Sequence, residues 1–478
     1  MKEVNVLKLY NTESRSKLEV VPASGDTILL YTCGPTIYNF AHIGNFRTYI
    51  FEDLLRRTIQ FFGMKVRQVM NLTDVDDKTI KGALEKKIPL LEYTKPYETA
   101  FFEDLKTLGI QRAEYYPSAT DYIEDMIKII QRLLEKGVAY QGDEGSVYFR
   151  IAAFPSYGRL SHLNLEELQV GASARISDEY DKDQVSDFVL WKAYDETRDG
   201  YIFWESPFGR GRPGWHIECS AMAMSILGES IDIHVGGVDN MFPHHENEIA
   251  QSEAFSGKTF VRHWLHAEHL LVDHKKMSKS LGNFYTLRDL LNRGYSGQQV
   301  RYILLQTHYR TQLNFTFTGL DAAAASLQRI TDFVDRLSSI KVSSKGIEGS
   351  KIALKMKEDF RAALADDLNI SAALSAFFEA IREINGLCDL GEVGVEEASL
   401  ILKTVHEIDS VLGILDLQVE EEIPQSLLEA LEKRQQARKE KNWALADECR
   451  VFIAENGYKI EDSPEGVRLK KIKSVKNG

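Results

Sequence analysis

The chain has 478 residues, 44% of them hydrophobic and 27% charged, with a formal net charge of −13. This length calls for several domains of ~100 to 200 residues; no window approaches the ~18 consecutive apolar residues of a membrane span, and no leader pattern opens the chain, which fits a cytoplasmic protein without a membrane partner. The acidic balance excludes a protein that coats nucleic acid through charge alone, and four scattered cysteines, Cys33, Cys219, Cys388 and Cys449, exclude a disulfide framework in favour of free thiols or metal ligands.

In chain order, a β-rich apolar run from Thr27 to Cys33 meets the turn Gly34-Pro35 and then an amphipathic helix from Phe46 to Phe62, closed by Gly63. Strand, loop and helix in that order open a nucleotide-binding α/β unit. A second strand, Lys65 to Met70, delivers the polar loop Asn71 to Asp77 to a strand's carboxyl end, where open α/β sheets bind ligands. Residues 93–207 then change pattern, with a helix from Tyr122 to Lys136 and a strand from Gly145 to Arg150, and read as an insertion.

The α/β alternation resumes with a helix from Pro213 to Leu227, a strand from Ile231 to Val235, a Gly236-Gly237 turn and a helix from Pro243 to Ser256 ended by Gly257, proline standing at each helix start. The expected organisation is a Rossmann-like catalytic domain over 1–265 split by that insertion, a connecting fold over 266–317 and a helical bundle over 318–418. The bundle is rich in Ala, Leu, Ile, Glu and Lys and is interrupted only at 343–346 and 386–394. A small α/β unit over 424–478 follows, with a helix from Ser426 to Lys441, a second helix through Asn456-Gly457 and a β-like ending. Its last stretch carries Arg468, Lys470, Lys471, Lys473 and Lys476, equally a solvated tail or an RNA contact.

Three groups of residues carry chemistry. His42-Ile43-Gly44-Asn45 enters the first long helix, whose N-terminal amides favour a phosphate and whose imidazole can donate to one; a histidine there serves as readily as a helix cap. Lys276-Met277-Ser278-Lys279-Ser280 places two ammonium groups in a loop bounded by Gly282, able to close on a triphosphate or simply to be solvated. Cys33, Cys219, His244 and Glu248 are a plausible tetrahedral zinc set, with His244 and Glu248 on one helix face, although no CxxC or HExxH spacing groups them. Buried core thiols and a surface His/Glu pair are the alternatives.

In this order, on separate strand-helix units, the two loops resemble the paired signatures of class I aminoacyl-tRNA synthetases. Together with the cysteines, Asn71 to Lys78, Asp187 to Lys192, Asp239 to Glu248, His308 to Gln312 and Asn442 to Asp447, they make nearly the whole chain similar to the cysteinyl-tRNA synthetase family. The resemblance implies one zinc per chain on Cys33, Cys219, His244 and Glu248, with the substrate thiolate as a further ligand. Four protein ligands ordinarily close a zinc site, so either five-coordination or a weakly held Glu248 is required. It implies Cys33, Thr36, Thr73 and Trp215 around the amino acid, His42 and Asn45 as catalytic groups on the phosphates of ATP, Lys276 and Lys279 on the departing pyrophosphate, and Gly236, Gly237 and Asp239 at adenosine.

The implied substrates and partners are L-cysteine, ATP with magnesium and tRNA(Cys), handled by a monomer whose terminal unit reads the anticodon, with Trp443 and Arg468 as contacts. Packing between two terminal helices is the plainer role for Trp443. No editing domain is expected, because zinc separates a thiolate from a serine hydroxyl more sharply than shape alone. Asn45 departs from the family, whose signature ends in histidine; asparagine donates a hydrogen bond but cannot become cationic. Two other readings compete: a relative that transfers cysteine to an amine-bearing sugar, which lacks a terminal anticodon unit, and a noncatalytic zinc-containing RNA-binding protein.

Overall fold

The β-rich runs on either side of the 93–207 stretch come together in a single parallel sheet. The computed structural model describes residues 6–162, 187–343, 346–415, 425–439, 442–456, 458–463 and 466–471. They divide into two units, Met1–Leu415 and Asp416–Gly478.

In the first unit a small antiparallel hairpin, β1 (Lys8–Asn11) and β2 (Ser16–Glu19), precedes β3 (Thr27–Thr32), helix α1 (Ile43–Phe61) and β4 (Lys65–Met70). Helices α2 (Asp77–Lys86), α3 (Leu90–Thr107) and α4 (Ile123–Glu135) follow. Strands β5 (Ala139–Gln141), β6 (Val147–Phe149), β7 (Phe188–Ala193) and β8 (Gly211–Pro213) form a separate antiparallel sheet in that order. The chain then returns through α5 (Trp215–Leu227), β9 (Ile231–Gly237), α6 (Glu246–Ser256) and β10 (Val261–Ala267).

The parallel sheet runs β10-β9-β3-β4, so β3 and β9 are neighbours although the chain leaves them in opposite directions across the sheet. That reversal is the topological switch point at which doubly wound sheets open a crevice beyond their carboxyl ends. Cys33, Asn71, Gly237 and Glu268 sit at those four ends. Helix α1 is buried on several sides: Phe46, Ile50, Leu54 and Leu55 lie in one core with Val235, Leu265, Val300 and Leu304. This places its N-terminus firmly over the crevice.

Beyond β10 come β11 (Leu270–Val272), β12 (Lys275–Lys276), α7 (Leu287–Asn292), α8 (Gly297–Leu305) and β13 (Leu313–Phe315). Four helices complete the unit among its described residues, α9 (Phe317–Ser338), α10 (Glu348–Ala365), α11 (Ile370–Asp389) and α12 (Val395–Leu412). Fully buried Arg301 of α8 ties them to the sheet domain by donating to Asp53 of α1 at 2.5 Å, to Leu412 O at 2.7 Å and to Leu108 O at 3.2 Å. In the second unit α13 (Gln425–Lys439) and α14 (Trp443–Glu455) precede an antiparallel hairpin, β14 (Tyr458–Ser463) and β15 (Gly466–Lys471), in which Arg468 is registered opposite Glu461.

Several expectations need correction. Pro213 ends strand β8 rather than starting a helix: Gly214 N donates to Leu190 O at 2.9 Å, and α5 begins only at Trp215. Pro243 sits in a five-residue π-turn, Met241–His245, in which Phe242 is extended (φ −137°, ψ 133°), and the regular helix begins at Glu246. The first long helix starts at Ile43 because a side-chain cap extends it toward the strand. In the bundle Gly386 lies inside α11, and an unforeseen break falls at 366–369, where Asp367 and Leu368 take φ of +59° and +55°. Asp367 supports it by accepting from Tyr10 N, Tyr309 Oη and the Arg310 guanidinium. Trp443 does not pack between terminal helices; it is 60% exposed. Lys473, Lys476, Pro424 and Gly457 lie outside the described residues.

Candidate active site and metal centre

The crevice at the carboxyl ends holds about 440 Å³ and is lined by Cys33, Thr36, His42, Asn45, Gly237, Asp239, His269, Lys276 and Met277 among others. Local chemistry fixes its edges. His42 caps α1: Asn45 N donates to His42 Nδ1 and His42 N donates to Asn45 Oδ1, both at 3.1 Å, a reciprocal capping box that satisfies two otherwise orphaned amides. Burial, joined by nearby Lys279, lowers the His42 pKa to about 4. The ring is therefore neutral at pH 7, its Nδ1 is occupied as an acceptor, and its proton sits on Nε2, free to donate.

The Lys276–Gly282 loop rests against this entrance. Ile43 N donates to Tyr285 O at 3.0 Å, and His42 and Lys279 both approach the Phe284 ring, with centroid distances of 5.2 Å in each case. Inside the loop Ser278 N donates to Asn283 Oδ1 at 2.8 Å and Asn283 Nδ2 to Lys276 O at 3.2 Å, while Lys276 and Lys279 are exposed. Both ammonium groups thus stand at the mouth where the α1 N-terminus already concentrates positive potential. At the β9 end, a Cβ on Gly236 would come within 2.8 Å of the His245 ring, so Gly236 is small to pack against His245; Gly237 has no such crowding and faces the crevice. Asp239 reaches His269 at 3.3 Å.

Beneath the crevice, ligand atoms of Cys33, Cys219, His244 and Glu248 all lie within 4.8 Å of one another. They come from the end of β3, from α5, from the π-turn and from α6. Tetrahedral zinc with bonds of ~2.0 to 2.3 Å needs ligands about 3.3 to 3.8 Å apart, within that envelope. Glu248 Oε1 stands 3.0 Å from His244 Nε2 in a fully buried site, so an acceptor and a ring nitrogen converge where either a proton or a metal ion can sit. The electrostatics point the same way. Burial opposes protonation of His244, but the Glu248 carboxylate and the Cys219 thiolate outweigh it and raise its pKa to about 10. A hydrogen bond from Cys33 holds Cys219 down at about 6. The donor set calls for a cation and fits zinc.

Trp215 stacks on His244 with centroids 4.2 Å apart and an interplanar angle of 25°. It covers one member of the metal set while remaining 36% exposed itself. Thr73 is buried and pairs with the Thr36 segment: its carbonyl accepts from Ile37 N and its hydroxyl from Asn71 Nδ2 at 3.1 Å. Gly34, between Thr36 and Cys33, has no room for a side chain, since a Cβ would fall 1.7 Å from Asn71 O.

Residues 19–325 match the catalytic domain of class I (C) tRNA synthetases, and residues 359–416 match the DALR domain. The chain is 64% identical to a protein of Protochlamydia amoebophila over 97% of this chain and 98% of that one, and 57% identical to one of Chlamydia felis over 98% of each; both are named cysteine–tRNA ligase. The chain belongs to the cysteinyl-tRNA synthetase family. Distant solved structures share the fold alone: methionyl-tRNA synthetase of Mycobacterium tuberculosis (TM-score 0.58, 14% identity, 88% of this chain and 96% of that one) and leucyl-tRNA synthetase of Agrobacterium radiobacter (TM-score 0.59, 12% identity, 82% and 85%).

What surrounds the candidate metal set of this synthetase was not expected from the sequence. Buried His216, His234, His245 and His266 pack about it. A signal was available, since eight of the twelve histidines fall between His216 and His274, far denser than chance along 478 residues.

Proposed function

We propose that the chain activates L-cysteine with ATP and transfers it to the 3′ end of tRNA(Cys). The convergence of Cys33, Cys219, His244 and Glu248 at the floor of a crevice rimmed by His42 and Lys276 carries this reading, because it joins a thiol-selective donor set to a phosphate-binding mouth.

In the first step a carboxylate oxygen of cysteine attacks the α-phosphorus of magnesium-bound ATP, forming the acyl-phosphate bond as the bond to the β-phosphate oxygen breaks. In the second, a ribose hydroxyl of the terminal nucleotide attacks the carbonyl carbon and AMP departs. Neutral His42 donates Nε2–H to a phosphate oxygen. Asn45 holds the opposite ring nitrogen through its backbone amide and the His42 amide through its side chain, so its first task is orientation. Lys276 and Lys279 follow the charge onto the departing pyrophosphate, and uncrowded Gly237 lets adenosine approach the β9 end, with Asp239 as its polar contact. Bound zinc supplies a soft Lewis acid that favours a thiolate over a serine hydroxyl. Cys33, Thr36, Thr73 and Trp215 are assigned to the amino acid, with Cys33 and Thr36 on the crevice wall, Thr73 held beside Thr36 and Trp215 stacked on His244.

Among the described residues no helix is long and apolar enough to cross a membrane, and the four cysteines are free thiols. These support a cytoplasmic enzyme, which we take to act as a monomer. The terminal unit, with exposed Trp443 available for base stacking, is assigned to the anticodon.

The test is cysteine-dependent ATP–pyrophosphate exchange on protein of measured zinc content, with serine as control. Exchange with cysteine but not serine, lost on zinc removal, is the expected result; absence of exchange in zinc-replete protein sinks the assignment.

A further inference from the structure

Three of the four metal-set residues have a dedicated histidine behind them. His234 Nε2 lies 3.0 Å from Glu248 Oε2, His216 Nδ1 lies 3.0 Å from His244 Nδ1, and His245 Nε2 lies 3.2 Å from Cys33 Sγ. All three rings are buried. They cannot re-aim freely: His234 is stacked on Trp264 at 4.7 Å and held edge-on by Tyr31 at 4.9 Å, and His245 is packed against Trp264 at 5.0 Å.

The longest of these connections continues outward. His245 Nδ1 is 2.9 Å from His266 Nε2, and His266 Nδ1 is 2.8 Å from Thr12 Oγ1. Thr12 follows strand β1 and is pinned by its own amide, which donates to Trp264 O at 2.8 Å. Each neutral imidazole owns one N–H, so the direction of the whole chain follows from its inner end. A zinc-bound cysteine is a thiolate and only accepts. His245 then donates Nε2–H to sulfur, its Nδ1 accepts from His266 Nε2–H, and His266 Nδ1 accepts from the Thr12 hydroxyl. Every link has one donor and one acceptor, and no buried hydrogen is stranded. On Glu248 the same logic applies: His234 donates Nε2–H to Oε2, leaving Oε1 for the metal, and His234 Nδ1 is without a partner as a bare acceptor rather than a buried N–H.

We propose that the Thr12–His266–His245 relay and His234 are positioning residues for the metal centre, the relay orienting and stabilising the Cys33 thiolate and His234 fixing which Glu248 oxygen faces the ion. This rests on the zinc reading of the four donors. Because Thr12 lies outside every sequence motif of the site, it separates a role in metal binding from a role in catalysis. A valine at position 12 keeps the shape and removes the hydroxyl; a serine keeps the hydroxyl.

The experiment measures zinc dissociation into a chromophoric chelator, and the spectrum of the cobalt-substituted protein, for wild type, Thr12→Val, Thr12→Ser, His234→Leu and His234→Gln. Outer partners of ligands contribute roughly 10- to 100-fold in metal affinity. Thr12→Val and His234→Leu are expected to weaken metal binding by about that range with a shifted thiolate-to-cobalt band, while Thr12→Ser and His234→Gln, which keep a donor at the same reach, stay close to wild type. Urea unfolding of the metal-free Thr12→Val protein should show only the small drop in midpoint of one lost hydrogen bond, well short of its loss in metal affinity, whereas a merely structural threonine would lower both alike. Metal release from Thr12→Val at the wild-type rate, or equal damage from valine and serine, overturns the relay. Cobalt-substituted wild type with a single thiolate ligand would place the ion on Cys33, His234, His245 and Glu248 instead, making His234 and His245 ligands and ending the proposal. Failure of wild type to take up zinc would remove the underlying reading as well.

Discussion

Asn45→Ala perturbs the residue that closes the capping box with His42 at the mouth of the crevice. In the structure the Asn45 side chain accepts the His42 amide at 3.1 Å, and its backbone amide holds His42 Nδ1 at 3.1 Å. Alanine keeps the second bond and removes the first, leaving the partly buried His42 N–H unpaired. Losing such a bond costs roughly 1 kcal/mol, in line with the ~0.5 to 2 kcal/mol range of helix caps. If that cost falls on the orientation of His42 as ATP reacts, exchange should slow by about five- to tenfold, since about 1.4 kcal/mol is a factor of ten. Asn45→His retains an acceptor nitrogen and should lie between wild type and Asn45→Ala. The assay is cysteine-dependent ATP–pyrophosphate exchange at saturating cysteine, with ATP varied, from pH 6 to 8.5. Because burial lowers the His42 pKa to about 4, no ionisation of this ring belongs in that window. Equal activity of all three proteins, or a wild-type rate that falls with an ionisation near pH 6.5 absent from His42→Gln, would refute the neutral, Asn45-oriented histidine.

Breaking the fully buried Arg301–Asp53 pair by Asp53→Asn should destabilise the first unit by about 3 to 5 kcal/mol, read as a lowered urea midpoint; a midpoint within experimental error of wild type would contradict it. Burial raises the Asp53 pKa, but Arg301 and Arg57 overcome this and leave it below 3.8. Its stabilising effect is therefore full above pH 3.8 and is lost as pH falls through the lower folded value, so the gap between wild type and Asp53→Asn should narrow only in strong acid. Gly34→Ala would drive a Cβ into Asn71 O and is expected to abolish exchange and solubility together, at a cost above the ~1 to 3 kcal/mol of ordinary overpacking; a soluble, active variant would mean the β3 end yields. A chain ending before residue 424 should lose most of its tRNA affinity while keeping exchange, and parallel losses in both assays would argue against an anticodon role for the terminal unit.

What sequence alone determined is the part governed by short-range rules. Short β-rich runs between turn signals marked β3, β4 and β9, and Lys65–Met70 appears with the expected bounds. The four-residue spacing of His244 and Glu248 places them on one face, 3.0 Å apart. The class I architecture was legible because its loops follow strands in a set order. Proline was a poorer guide: Pro213 and Pro243 mark a strand end and a π-turn, where fixed φ serves as well as in a helix start. The break at 366–369 was invisible because its signal is an acceptor, Asp367, whose donors come from Tyr10, Tyr309 and Arg310. Only the tertiary structure decided the rest. It brought Cys33 and Cys219 together across the switch point, set the Lys276–Gly282 loop against the His42 cap and aligned Thr12 behind Cys33 through two histidines. Metal coordination and hydrogen bonding act over a few ångströms between residues distant in the chain, and no local periodicity encodes that convergence.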